Sequence, residues 1–290
     1  MSGWSVNLVP SKEVRSVMQR LAYCLNTSTI RQAKLLDKIR IAGECGYDAI
    51  ELWNDEMDEY IRSGGKMSDI AKALSDYNLS VPSVIAIHNW MTTSGDEYRK
   101  AIDEAKRRME QAAEVGAKHI VATPPVRSEV PFDPSAAAER YLQLLELGRG
   151  IGVLPAVEFL GFSEVVSKVG QAWDIVKLSK ASDGSIVLDT FHLYRGGSSL
   201  EDVPDLTGQF IAIFHFNDVP AEIPREKLTD ADRIYPGDGI LPLRQTVEEV
   251  MKRGYSGAIS LELFNRALWE KDPMEVARIG LEKMKAIVEA

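Results

Sequence analysis

Short apolar runs rich in β-branched residues alternate along this chain with longer segments whose apolar positions recur at helical spacing. The short runs predict strands at Ala22 to Leu25, Ala49 to Trp53, Val81 to Ile87 and Lys118 to Thr123. Four more follow at Ala156 to Leu160, Ser185 to Leu188, Phe210 to Phe216 and Ala258 to Phe264. Between them, Asp96 to Gly116 predicts a helix. Its residues Ala101, Ala105, Met109, Ala112 and Val115 share one face, and Gly116 stands where a helix-ending glycine belongs. The basic residues Lys72, Arg99, Lys100, Arg107 and Arg108 alternate with acids and read as a solvated helix face.

One phrase recurs: helix, glycine, one or two residues, apolar strand. It is visible in IAGECGYDAIELW, AAEVGAKHIVATP and VMKRGYSGAISLELF. A glycine that ends a helix just before a strand is the αβ connection of a parallel sheet. Eight such strands separated by helices in 290 residues predict a single-domain (β/α)₈ TIM barrel. An open doubly wound sheet would place a glycine-rich phosphate loop after its first strand, and CLNTSTI has no such glycines. The stretch from Asp218 to Leu241, rich in Pro, Asp and Gly, is a long loop after the seventh strand. In a barrel it lies on the face that carries active sites.

Composition narrows the class. An apolar fraction of 45% with a net charge of −9 excludes a disordered chain and argues against a protein that wraps nucleic acid. No apolar run approaches the length of a membrane span, and the opening MSGWSVNLVPSKEVRS has no secretory hydrophobic stretch. The 2 cysteines, Cys24 and Cys45, form no disulfide framework and point to a cytoplasmic location.

Polar residues at the C-terminal ends of barrel strands converge on one cup. Those ends carry Asn26, Glu51, His88, Glu158, Asp189 with His192, His215 with Asp218, and Glu262. The fourth histidine, His119, falls at the opposite end of its strand. Each acid or histidine alone has an ordinary structural explanation, as one half of an ion pair, a cap or a hydrogen-bonded core residue. Together they fall at matching ends of strands five to eight. Glu158 in PAVEFLG and Glu262 in AISLELF are costly in otherwise apolar strands unless something compensates them, and a divalent cation would. Glu158, Asp189, His215 and Glu262 form an N/O donor set suited to borderline or hard ions. Mn²⁺ is the expected ion, with Mg²⁺, Co²⁺ and Zn²⁺ as alternatives.

At these residues the chain resembles the xylose isomerase-like TIM-barrel superfamily, in its sugar isomerase/epimerase branch that includes D-tagatose 3-epimerases and inosose dehydratases. The motifs VEFLGFSE, LDTFHLYRGGS, FHFND, DRIYPGDGILPL and SLELF carry the likeness. It implies that Glu158, Asp189, His215 and Glu262 are the metal ligands. It implies further that His192 holds a substrate oxygen, that Glu164 orients His192, and that Arg233 sits beside the substrate oxygens. In the epimerases that arginine follows the strand-seven histidine closely, whereas here PAEIPREKLTDAD intervenes, so Arg225 is a rival for the role.

The resemblance also implies a reaction. The metal polarises a carbonyl, and Glu158 and Glu262 move a proton on and off the neighbouring carbon through an enediolate. The product is an isomer or epimer of a keto-sugar or related polyol. With a leaving hydroxyl on the next carbon, the same machinery eliminates water, so a lyase on a cyclic keto-polyol or a 3-keto-glycoside is the alternative. At the rim, Trp53, Trp90 and Trp269 are candidates to stack on a sugar, and His88 to reach a hydroxyl. Arg195 to Ser198 reads as a plain turn. The expected partner is a small sugar or polyol, with neither nucleic acid nor membrane, and the subunits are expected to pair as a dimer or tetramer.

Overall fold

The computed structural model describes residues 20–290, and the opening MSGWSVNLVPSKEVRS lies outside them. The first half runs β1 (Ala22–Asn26), α1 (Leu35–Cys45), β2 (Ala49–Trp53), α2 (Asn54–Arg62), α3 (Met67–Asp76), β3 (Ser83–Ile87), α4 (Gly95–Glu114) and β4 (His119–Ala122). The second half runs α5 (Pro134–Ile151), β5 (Leu154–Val157), α6 (Val169–Ser179), β6 (Ser185–Asp189), α7 (Thr190–Gly196) and β7 (Ile211–Phe216). It ends with α8 (Leu243–Lys252), β8 (Ala258–Leu261), α9 (Arg266–Trp269) and α10 (Pro273–Val288). The strands pair in parallel in chain order, and β8 closes on β1 with Ala22 opposite Ala258. This is the closed (β/α)₈ barrel that the repeated helix-glycine-strand phrase predicts. Among the described residues, no helix is long and apolar enough to cross a membrane.

The glycines of that phrase act through backbone conformation. Gly46, Gly116 and Gly254 have φ of 86°, 74° and 86°, and a Cβ on any of them would meet nothing within 4 Å. Only the left-handed φ demands glycine there, because it ends the helix and turns the chain toward the next strand.

Two strands stop earlier than the apolar runs suggest. β8 ends at Leu261 because the Thr29 hydroxyl accepts the Leu263 N–H at 3.0 Å. β5 ends at Val157, and Glu158 keeps one more sheet bond, from its N–H to the Ala122 carbonyl at 3.1 Å. Leu160 then bonds to Val166 and the chain curls over the barrel end. The stretch from Asp218 to Leu241 is not irregular throughout. It holds short 3-10 turns at Arg225–Lys227 and Asp230–Asp232 and an antiparallel bridge between Asp218 and Ile234.

The main core lies between the sheet and the helices. A smaller cluster, Ile85, Ala86, Val121, Ala156, Val187, Ala212 and Ile213, packs separately against Trp53. Ile85 is in register with Val121, Val121 with Ala156, and Val187 with Ile213. These side chains form one apolar layer inside the barrel, and the candidate site stands directly above it.

Candidate active site

Side chains alternate faces along a strand, so the residue two positions past an inward one also points inward. Two positions past Val121, Ala156, Val187 and Ile213 stand Thr123, Glu158, Asp189 and His215, and two past Ser260 stands Glu262. The apolar layer therefore gives way to a polar one at the C-terminal mouth. Asp189, His215 and Glu262 bring ligand atoms within 4.8 Å of one another, and Glu158, Asp189 and His192 form a second such group. All five side chains are buried.

His215 sits at the centre. Its Nε2 lies 3.1 Å from Glu51, while its Nδ1 faces Glu262 at 3.1 Å and Glu158 and Asp189 at 3.7 Å each. That Nδ1 is buried and makes no hydrogen bond among the described residues. Buried polar atoms without partners are rare, and this one is ringed by three carboxylates. Among the described residues lining the cup, Arg233 is the single Arg or Lys, set against Glu158, Glu262 and Asp230. Surplus negative charge around an unpartnered imidazole nitrogen fits a divalent cation with oxygen and nitrogen donors.

The electrostatics follow from this crowding. Burial pushes the Glu158 carboxyl well above its usual range against the pull of His215, and Glu262 and Asp189 push it the same way. Asp189 is as buried, yet the Arg233 guanidinium overcomes that penalty and holds it well below the usual range. Burial likewise opposes charge on His215, but Glu262 and Glu51 outweigh it and keep the ring protonated to higher pH.

Arg233 reaches the cup and Arg225 does not. The Arg233 side chain is 1% exposed and lies over the Phe191 ring, with its guanidinium carbon 4.6 Å from the centroid. Nη1 donates to Asp189 and Glu262 at 2.8 Å each, and Nη2 donates to Asp230 at 2.7 Å. Arg225 lies instead beside Gly197, on the outer turn after α7. Arg195 and Gly196 are the last residues of α7, and the turn expected at 195–198 begins only at Gly197, which ends the helix with a left-handed φ of 65°; the Ser198 hydroxyl accepts the Val169 N–H.

His192 is held by a group that its sequence neighbours do not advertise. The ring is packed edge-on against Phe159, Phe162 and Phe191. Burial lowers its pKa to about 4, with Asp189 opposing and Arg233 reinforcing the shift. The ring is therefore neutral at ordinary pH. The Gly161 N–H donates to Nδ1 at 3.1 Å, which puts the single ring proton on Nε2. Nε2 lies 3.1 Å from Arg233 Nη2. The ring and the guanidinium therefore stand side by side on the wall of the cup.

Glu164, expected to orient His192, does not. Its side chain is 63% exposed and pairs with Arg127 at 3.2 Å. The Ser163 hydroxyl accepts from the N–H groups of Val165 and Val166. The tight turn that results sends Glu164 outward. Gly161 does the orienting through its backbone, and it must be glycine: a Cβ would lie 2.7 Å from Gly196 N and 2.8 Å from the His192 carbonyl oxygen. The signal was present in EFLGFSE as the glycine, but its packing against α7 is a tertiary fact.

The remaining candidates divide. Trp53 lines the cup beside Phe264 and donates to Asn26 at 2.9 Å. His88 also lines it, with Nδ1 2.7 Å from the Thr123 hydroxyl. Trp90 is buried and bonded to the Thr123 carbonyl, and Trp269 is tied to Ser28, so neither lines the cup. Asp218 spends its carboxylate on backbone N–H groups of the loop. The cup has a volume of about 530 Å³ and a largely apolar wall of Trp53, Leu160, Phe162 and Phe264.

A sequence model of the xylose isomerase-like TIM barrel family matches residues 39–287. The chain belongs to that family. Within it, an inosose isomerase of Bacillus velezensis is 27% identical over 271 residues, 91% of this chain and 96% of the relative. A 3-dehydroshikimate dehydratase of Pseudomonas aeruginosa is 23% identical over 232 residues, 80% of this chain and 36% of that longer enzyme. Among solved structures, the IOLI protein with a binding zinc atom superposes with a TM-score of 0.86 at 25% identity. That match covers 93% of this chain and 98% of the other.

Proposed function

We propose that this chain is a divalent-metal-dependent isomerase or epimerase of a keto-sugar or related polyol, with Glu158, Asp189, His215 and Glu262 holding the cation. The observation that carries the reading is the unpartnered His215 Nδ1 ringed by Glu158, Asp189 and Glu262. The zinc atom bound by the structurally similar IOLI protein supports a cation site, and the inosose isomerase relatives support the reaction class. Zn²⁺ thereby joins Mn²⁺ as a leading candidate for the ion. The free thiols Cys24 and Cys45 suit a cytoplasmic enzyme.

A bound divalent cation supplies Lewis-acid polarisation of a substrate carbonyl. The residues around it supply the proton chemistry. One of Glu158 and Glu262 takes the proton from the carbon beside the carbonyl, and the other returns a proton to the opposite face or to the neighbouring carbon. His192 holds the oxygen on which negative charge grows, and the positive charge of Arg233 beside it neutralises that charge. Trp53 and Phe264 exclude water from one side of the cup and offer a flat apolar face to a sugar ring.

The lining favours an uncharged substrate. Arg233 already serves Asp189, Glu262 and Asp230, and burial lowers the pKa of His88, leaving it a weak counter-ion for a phosphate or carboxylate. A neutral cyclic keto-polyol fits this cup better than 3-dehydroshikimate, which carries a carboxylate. The lyase reading rests on similarity to the dehydratase and differs only in whether a hydroxyl leaves from the next carbon.

The test is a substrate panel. Metal-stripped protein, restored with Mn²⁺ or Zn²⁺, is incubated with free ketoses, 2-keto-myo-inositol and 3-dehydroshikimate and followed by proton NMR. A new diastereomer or aldose–ketose pair from a neutral substrate is the expected result. Loss of a ring hydroxyl would establish the lyase in its place, and inertness toward every neutral keto-polyol with metal bound would contradict the proposal.

A further inference from the structure

We propose that Glu51 is a positioning residue that fixes the tautomer and orientation of His215, so that Nδ1 faces the space between the three carboxylates where a cation would sit. This rests on the reading of the cup as a metal centre. Glu51 is on β2 and His215 on β7, which are not neighbouring strands, so the glutamate reaches across the barrel interior. It is fully buried. A carboxylate in that position costs several kcal/mol unless donors surround it, and an apolar side chain would fill the space without that cost.

Three donors do surround it. Asn26 Nδ2 donates to Oε2 at 2.8 Å, the Ser260 hydroxyl donates to the same oxygen at 2.9 Å, and His215 Nε2 lies 3.1 Å from Oε1. These come from β1, β8 and β7, so the carboxylate is fixed from three directions. The Asn26 amide is itself locked, because its Oδ1 accepts from Ser28 N and from Trp53 Nε1, both at 2.9 Å. Its NH₂ group must therefore point at Glu51, and the same group reaches Glu262 Oε1 at 3.2 Å.

The consequence for His215 is chemical. A divalent cation in the cup would displace the extra proton that the carboxylates hold on His215, leaving a neutral imidazole whose single N–H is claimed by the carboxylate acceptor at Nε2. The lone pair is then on Nδ1, where no donor among the described residues meets it. A carboxylate behind a ligating histidine also raises the basicity of the ligating nitrogen, and losing such a partner lowers metal affinity about 10–100-fold.

The experiment compares Mn²⁺ binding by calorimetry to metal-stripped wild-type protein and to Glu51→Gln, with cooperative melting of the metal-free proteins as the folding control. The expected result is an affinity about 10–100-fold weaker in the variant, with cooperative metal-free melting retained. Equal affinity would overturn the role of Glu51 and leave the metal centre standing. Absence of Mn²⁺ binding to wild type would overturn both. Should the variant not fold, ¹⁵N–¹H spectra of the imidazoles in Zn²⁺-loaded wild type decide the matter. A proton on His215 Nε2 with a metal-shifted Nδ1 supports the proposal, and the reverse assignment overturns it.

Discussion

Asp218 and Ile234 hydrogen-bond through their backbones in both directions, at 3.0 and 2.9 Å. The Asp218 carboxylate also accepts the N–H groups of Val219, Gly237, Gly239 and Leu241. The long excursion after β7 thus closes where it begins, and Arg233, next to Ile234, is delivered into the cup despite the intervening PAEIPREKLTDAD. The length of an excursion matters little once its two ends are tied together.

Asp218→Ala removes the side-chain acceptor of four backbone N–H groups. Each such group left unsatisfied in a buried place costs about 1–3 kcal/mol, so the loop opens instead. The expected result is kcat/KM reduced at least ~10-fold, as for other losses of substrate positioning. Faster proteolytic cleavage within residues 219–240 should accompany it, with the barrel still folded by circular dichroism.

Gly161→Ala should uncouple His192. The added Cβ would meet backbone on α7 under 3.0 Å, and backbone cannot rotate away. A loss of about 1–3 kcal/mol in denaturant stability is expected for such overpacking. A fall in kcat larger than the change in KM should come with it, because the misplaced ring acts on developing charge.

Glu164→Gln is the matching control. The exposed carboxylate touches Arg127 and nothing in the cup, and surface pairs contribute about 0–1 kcal/mol. Steady-state kinetics should give kcat and KM within about a factor of two of wild type, in line with the small effects of surface substitutions. A large loss would restore Glu164 to the site.

Chelation should destabilise the native protein. Glu158, Asp189 and Glu262 crowd one cavity, and a cation that binds only the folded state adds about 2.7 kcal/mol at a hundredfold excess over its Kd. The midpoint of thermal unfolding should fall in EDTA and climb again with added Mn²⁺ or Zn²⁺. His215→Ala should abolish that climb.

Much of this was legible in the sequence, and the remainder has a common physical cause. Glu158, Asp189, His215 and Glu262 stood out because each is a polar residue at the end of an apolar strand, a local contrast. Arg233 came from resemblance and was rivalled by Arg225 until the Asp218–Ile234 bridge separated them. Glu164 was misplaced because its spacing from Glu158 says nothing of the Ser163 turn that faces it outward. The role of Glu51 was hidden, since its bond to His215 spans the barrel between strands that are distant in sequence and not adjacent in the sheet. Gly161 was hidden for the same reason: its partner is the backbone of another segment. What alternates or breaks locally can be read along the chain; what two distant segments do to each other cannot.

The central claim is that Glu158 and Glu262 pass a proton on and off a carbon beside a carbonyl. It is tested most directly by solvent exchange in D₂O, using metal-restored protein and 2-keto-myo-inositol, with mass spectrometry following deuterium uptake at carbon. The account predicts enzyme-dependent deuterium at a carbon next to the carbonyl in the wild type, abolished in Glu262→Gln while that variant still binds metal. Deuterium uptake undiminished in both Glu262→Gln and Glu158→Gln would contradict it.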